Sequence, residues 1–250
     1  MTTFPQVLAR LLAADPARPL VTFYDDATGE RTELSVTTWA NWVAKVASLL
    51  GEELDVEHGS RLLVDLPTHW LGTVVLGAAW SSGIEVVWDD AVHPPDAVVT
   101  GPAGLDRWAT EAERIPVVAS ALQPLAGRFP DGVPDGVHDL GVEVWSQPDA
   151  YVAFPGPEED DPAVAGTSHA DLWRSAAAGD LLTGGGRLLS EANPASPSGL
   201  ASLAEPLACS GSLVLVTHAS TQRRERIADD ERITDRFPKE PDRPGSELSS

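Results

Sequence analysis

Arg61-Leu62-Leu63-Val64-Asp65-Leu66, then Trp70-Leu71-Gly72-Thr73-Val74-Val75-Leu76-Gly77-Ala78-Ala79-Trp80, then Ile84-Glu85-Val86-Val87-Trp88 follow one another in the chain, and their reading decides the fold. The first is a short apolar run of the kind found in strands covered on both faces, ended by Pro67-Thr68. The second reads as a strongly apolar helix stopping near Gly83, and the third as the next strand. Strand, helix, strand is the signature of a parallel sheet.

Working outward, Phe4, Val7, Leu8, Leu11 and Leu12 fall at helical spacing, and Asp15-Pro16 should stop that helix. Residues 19–24 and 30–34 read as a hairpin around the turn Asp25-Asp26-Ala27-Thr28-Gly29. Ser35 is placed to cap a helix carrying Trp39, Trp42, Val43, Val46, Leu49 and Leu50 and ending at Gly51. Residues 96–100 and 115–118 read as strands flanking a helix over 103–113. Residues 120–166 are rich in Pro, Gly and Asp, and 155–162 read as an exposed loop. A helix over 168–178, a strand over 187–190, a helix over 200–209 and a strand over 212–216 follow, with Gly184-Gly185-Gly186 a turn before the second of these. From Ser220 the chain is nearly all charged and polar, which predicts a partly helical stretch and then a disordered tail. The expected class is α/β, with two successive α/β portions and mainly parallel sheets: an N-terminal subdomain over 1–148, a second one over 149–219, and the tail over 220–250.

The charge excludes some functions. With 38 Asp and Glu against 17 Lys and Arg, the formal net charge is -21, spread along the chain. Such a field repels phosphates and anionic lipids, so nucleic acid is not an expected partner. Lysine occurs only at Lys45 and Lys239. The single Cys209 cannot close an intramolecular disulfide, which points to a reducing cytoplasm. The N-terminus has no basic region followed by an apolar one, and no apolar run reaches the roughly 18 residues of a membrane span.

Several stretches, taken in order, resemble adenylate-forming enzymes, the superfamily of acyl-CoA synthetases, adenylation domains and luciferases. Ala17-Arg18-Pro19-Leu20-Val21-Thr22-Phe23 is similar to their opening strand, and Glu33-Leu34-Ser35-Val36-Thr37-Thr38-Trp39 to the return strand and helix start. Gly59 to Pro67 and Leu76 to Gly83 resemble the next strand and helix end. Asp149-Ala150-Tyr151-Val152 and Asp161-Pro162-Ala163-Val164 resemble the approach to the superfamily's phosphate loop. Ser168-His169-Ala170-Asp171-Leu172 resembles the helix start after it, and Arg187 to Val216 the segment that follows. The resemblance covers about 15–218 and extends to a group of short actinobacterial proteins related to these enzymes.

The resemblance also marks three departures. The Ser/Thr/Gly-rich phosphate loop and its lysine are missing between Val164 and Thr167. The chain ends before the superfamily's later motifs and the small domain carrying the catalytic lysine, for which Lys239 is no substitute. The stretch between Trp88 and Asp96 is shorter than the pattern implies.

Gly166-Thr167-Ser168-His169-Ala170 approaches the nucleophile elbow of a serine hydrolase, but an acidic loop precedes it where an apolar strand is needed. Ser168 as a helix cap, with Asp171 three residues on, is the better reading. No H-E-x-x-H or Cys/His cluster exists, so no metal is assigned, and His58, His69, His93, His138 and His218 are scattered. Asp89-Asp90 and Glu158-Glu159-Asp160-Asp161 read as solvated carboxylates. His69-Trp70 follows a parallel strand, at the end where ligands settle in open α/β sheets. The candidate pocket residues are therefore His69, Trp70, Ser168, His169 and Asp171, with no catalytic residue. Trp39, Trp42, Trp70 and Trp80 are expected in the core.

The expectation is a non-catalytic remnant of an AMP-binding, acyl-CoA synthetase-like protein, acting in the cytoplasm as a binding or partner subunit or as a homo-oligomer, without a cofactor. The alternative is a residual ATP- and Mg-dependent ligase activity completed by a second chain. A serine hydrolase at Ser168 is a distant third.

Overall fold

A computed structural model describes residues 2–92 and 94–238. Along the chain run α1 (Phe4–Ala14), β1 (Pro19–Asp25), β2 (Glu30–Ser35), α2 (Val36–Ser48), β3 (Arg61–Asp65), α3 (Trp70–Ser82), β4 (Glu85–Val87), β5 (Ala97–Thr100), α4 (Leu105–Ala109), β6 (Val117–Ala119), β7 (Val137–Asp139) and α5 (Leu140–Glu143). There follow β8 (Pro162–Val164), β9 (Thr167–Ser168), α6 (His169–Ala177), β10 (Arg187–Ser190), α7 (Ala201–Ala208), β11 (Ser212–Thr217), α8 (Thr221–Asp230) and β12 (Asp235–Phe237).

Two sheets form, of order β12-β10-β11-β1-β2 and β7-β6-β5-β3-β4-β8-β9. All neighbouring strands pair in parallel except the hairpins β1–β2 and β8–β9. The mainly parallel α/β class read from the sequence is what the chain adopts. Its layers centre on α3, in which every residue but Ser81 is buried. A helix that is apolar all round needs cover all round, and α3 packs against α1, α2, β1, β3 and β4. One continuous core joins Phe23, Leu213 and Leu215 of the first sheet to Leu62, Val64 and Val86 of the second.

Three core tryptophans have their polar edges engaged: Trp39 Nε1 donates to Thr73 Oγ1 at 3.0 Å, Trp70 Nε1 to Glu30 Oε1 at 3.2 Å and Trp80 Nε1 to the Ala163 carbonyl at 3.1 Å. Gly83 closes α3 in the left-handed conformation at φ 69°. A Cβ there would also lie 2.0 Å from the His58 ring, so both backbone and space require glycine.

The sheets cross the sequential division expected at 148/149. β1 and β2 join β10, β11 and β12, whereas β8 and β9 complete the sheet begun by β3. Strands of one sheet are recruited by register from distant parts of the chain, which sequential reading does not reveal. The charged segment from 220 is also more structured than expected through 238: α8 buries Ile227 and Ala228 against Leu189, Val214 and Val216, and β12 pairs with β10. Glu231 after α8 accepts hydrogen bonds from Tyr24, Arg31 and Arg187, tying the segment to β1, β2 and β10. The rest of the tail expected over 220–250, residues 239–250, lies outside the described residues. Two smaller differences concern helices. α2 passes into a π-helical turn over Leu49–Glu53 in place of stopping at Gly51, and α4 spans only Leu105–Ala109 of the expected 103–113.

Candidate functional site

The candidate residues fall into two groups at opposite ends of one sheet. In the register of the second sheet Arg61 faces Glu85 and Val86 faces Val164, while Pro162 faces Ser168 on the returning strand. Ser168 and His169 therefore sit level with the amino ends of the strands, and His69 and Trp70 lie beyond the carboxyl end of β3. The structure does not bring the five candidates together as one pocket.

At the amino end, Ser168 caps α6: its Oγ accepts from the Asp171 amide at 3.2 Å and is hydrogen-bonded to the Asp171 carboxylate. Asp171 is exposed and ion-paired to Arg174, whose hydrogen bond, ahead of that from Ser168, holds its carboxyl below the ordinary range. His169 is fully buried and neither ring nitrogen finds a partner. Burial lowers its pKa from 6.5 to about 4, against an upward pull from Asp161 and with a smaller downward push from His58. Ser168 is thus committed as a cap, and among the described residues no histidine is hydrogen-bonded to it.

The turn joining β8 to β9 is where the resemblance implies a phosphate loop. It contains only Ala165 and Gly166, closed by the Val164–Thr167 pair, with Gly166 at φ 78°. Its amides are already engaged, Ala165 N with the Val86 carbonyl at 2.8 Å and Gly166 N with Glu85 Oε1 at 3.0 Å. The first turn of α6 is engaged too: the His169 amide donates to the Asp161 carbonyl and the Ala170 amide to the Glu159 carbonyl, each at 2.9 Å. An anion site of backbone N–H groups needs those groups free and a positive local field. Here the donors are taken and carboxylates line the turn, so these residues do not fit ATP phosphates.

At the carboxyl end, Phe23, Asp25, Glu30, Thr68, His69, Thr217 and His218 line a cleft of about 370 Å³. His69 is buried, with its ring packed edge-on to Phe23 at 4.7 Å between centroids. Glu30 accepts from Thr32 Oγ1 at 2.7 Å and from Trp70 Nε1, with His69 Nε2 3.9 Å from its other oxygen. Burial pushes the Glu30 carboxyl up, but His69, Thr32 and Trp70 outweigh it and hold the group low. Trp70 itself serves as this clamp on Glu30 and packs against Trp42. Asp25 is held low in the same way: burial raises it, and His218, the Ala27 amide and Thr28 more than compensate. Asp25, Glu30 and His218 were not singled out from the sequence. Applying the rule for carboxyl ends to the strands over 19–24 and 212–216, and not only to the one over 61–66, points to Asp25 and His218, whereas Glu30 opens the returning strand β2. Among the described residues no group of three or more His, Cys, Asp or Glu could hold a metal ion.

No family model matches the chain. A curated relative from Mycobacterium tuberculosis, described as a TIGR03089 family protein, is 36% identical over 237 residues, covering 91% of this chain and 95% of the relative. The chain belongs to the TIGR03089 family. Solved structures similar to this TIGR03089 family member include a Brucella canis acyl-CoA synthetase with a TM-score of 0.70 at 16% identity, covering 94% of this chain and 50% of that one. A benzoate CoA ligase from Burkholderia xenovorans gives 0.71 at 19% identity, covering 94% and 49%. Coronafacic acid ligase from Pectobacterium brasiliense gives 0.72 at 13% identity, covering 93% and 49%. The chain spans about half the length of these solved structures, and at such identities the likeness shows the fold alone. The TIGR03089 family member therefore has an acyl-CoA synthetase-like fold. Among its described residues no helix is long and apolar enough to cross a membrane.

Proposed function

We propose that this protein is a non-adenylating binding or partner subunit built on an acyl-CoA synthetase-like fold. The observation that carries the reading is the two-residue turn Ala165-Gly166, whose amides are held by Val86 and Glu85 at the position where ATP phosphates would need a cradle. The net charge of -21 acts in the same direction, since it disfavours a polyphosphate throughout the approach. What remains is a folded α/β scaffold with a cleft and exposed apolar side chains, Phe154 fully and Val152 at 90%, and such groups suit recognition of another molecule. A cytoplasmic setting belongs to the same proposal, on the single Cys209.

Calorimetric titration with Mg-ATP, AMP and a non-hydrolysable acyl-adenylate analogue tests it, with light scattering on the same sample. No nucleotide binding at millimolar concentration is the expected result. Micromolar binding would overturn it in favour of a ligase completed by a second chain, the activity that the names of the structural neighbours suggest.

A further inference from the structure

The helix α1 buries Phe4, Val7 and Leu11 in the core and leaves Leu8 and Leu12, neighbours on its surface, only partly covered. The segment over 151–157, which has no regular secondary structure, passes beside them and leaves a groove of about 380 Å³. Pro5, Leu8 and Leu12 line it from the helix, and Tyr151, Val152 and Pro157 from the segment. Ser81, the one residue of α3 that is not buried, also lies at the groove, but its hydroxyl already donates to the Gly77 carbonyl at 2.8 Å. Phe154 stands between the lining residues Ala153 and Gly156 and is fully exposed, and Val152 is nearly so. Large apolar side chains exposed beside an apolar groove mark an interaction surface.

Carboxylates stand at both ends of this segment. At one end the Tyr151 hydroxyl lies beside Gly51, where an added Cβ would be 3.0 Å from it, and the exposed Glu52 and Glu53 come next in the chain. At the other end Glu158, Glu159 and Asp160 follow directly on Pro157. Among the described residues none of these five carboxylates has an ion-pair partner. The nearby basic side chains do not offset them. Lys45 is paired with Asp149 at 3.1 Å and donates to the Gln147 carbonyl. Arg10 is two residues from both Leu8 and Leu12, which in a helix places it on the opposite side of α1.

Charge selects the occupant. A second copy would bring the same carboxylates to the same face, and each copy carries a net charge of -21, so self-association here meets repulsion both at the groove and over the whole surface. An acidic segment or an anionic lipid surface meets the same barrier. A basic segment meets the opposite field, which steers it toward the groove and fixes its register between the two acidic ends. Its apolar side chains then cover Leu8, Leu12, Val152 and Phe154, removing from water the surface that the fold leaves exposed.

We propose that this groove binds a basic segment of a partner protein, its apolar side chains packed against Leu8, Leu12 and Phe154 and its lysines or arginines facing Glu52, Glu53 and Glu158 to Asp160. This rests on the binding-subunit reading above and names the chemistry of the partner. The test is fluorescence anisotropy of a labelled peptide of leucine and lysine, about 14 residues long with its leucines at helical spacing, titrated with the full chain. Saturable binding that weakens as salt is raised is expected. Phe154→Ser, at a side chain that is fully exposed in the folded chain, should weaken it about tenfold, the scale of losing one apolar anchor. Glu53→Gln combined with Glu158→Gln should weaken it and flatten the salt dependence. A peptide of the same composition with its leucines dispersed should bind much more weakly. Absence of saturable binding, equal binding of the dispersed peptide or of one with glutamine in place of lysine, or no effect of Phe154→Ser would overturn the proposal. So would light scattering that shows a dimer of the wild type but not of Phe154→Ser, since the groove would then belong to a second copy. Each of these results leaves the non-adenylating reading standing, because that reading fails only if the same sample binds Mg-ATP.

Discussion

The amide of Gly166 donates to the carboxylate of Glu85 across 3.0 Å, from the turn after β8 to the first residue of β4. This bond, with the one from Ala165 to the Val86 carbonyl, uses the donors a phosphate would need and sets a negative charge beside them. Phosphate recognition by backbone depends on the opposite arrangement, free N–H groups in a positive field. This arrangement is local to the turn and leaves the core centred on α3 unaffected.

Ser168 belongs to this end of the sheet as a helix cap. Replacing it with alanine removes the oxygen that accepts from the Asp171 amide, and caps of this type contribute about 1 kcal/mol. Urea denaturation of Ser168→Ala should show a loss of that size, with no change in any background esterase rate. A variant of unaltered stability that has lost an esterase activity would reverse the assignment.

His169 should make the protein acid-sensitive in a defined window. In the folded chain burial holds its pKa at about 4, against 6.5 for the ordinary group. Between about 6.5 and 4 the unfolded chain therefore binds more protons, and stability falls as pH drops through that range and is complete above it. The full shift corresponds to at most about 3 kcal/mol. Asp25, Glu30, Asp161 and Glu231, all held low, add their losses only below the ordinary carboxylate range. Urea midpoints at pH 7 and pH 5 should differ clearly in the wild type and much less in His169→Leu. An equal pH dependence in both proteins would contradict this origin.

Glu231 fastens the last described elements. Its carboxylate meets Tyr24, Arg31 and Arg187, and burial, which raises its pKa, is outweighed by these contacts. Glu231→Ala should cost about 2 kcal/mol, less than a fully buried ion pair because Arg31 is half exposed. Hydrogen exchange should show the loss concentrated in α8 and β12, with α3 still protected. A uniform loss of protection would mean that these elements unfold only with the whole domain.

Much of this was legible in the sequence where local chemistry dictates structure. Ser35 and Ser168 cap helices because their hydroxyls accept from amides three residues on. Trp39, Trp70 and Trp80 are fully buried because the helices that carry them are apolar on the faces that pack. The hairpin around Asp25 to Gly29 follows from its turn residues. Sheet membership was not legible, since β1 pairs with β11 across nearly the whole chain and no local pattern encodes that register. The strand β12 was hidden by its charged composition; it pairs with β10, and its Phe237 packs against Leu181, Leu182 and Leu188. At the candidate site, His69 was visible from its place after β3. Asp25 and His218 become partners only once β1 and β11 are known to be neighbours.

The central claim is that the turn at Ala165-Gly166 no longer recognises phosphate. Its most direct test is phosphorus NMR of millimolar Mg-ATP in the presence of the purified full chain. The account predicts that all three phosphorus resonances keep their free line widths and positions at equimolar protein. Saturable broadening or shifts of the β- and γ-phosphorus signals would contradict it and place a working nucleotide site on this fold.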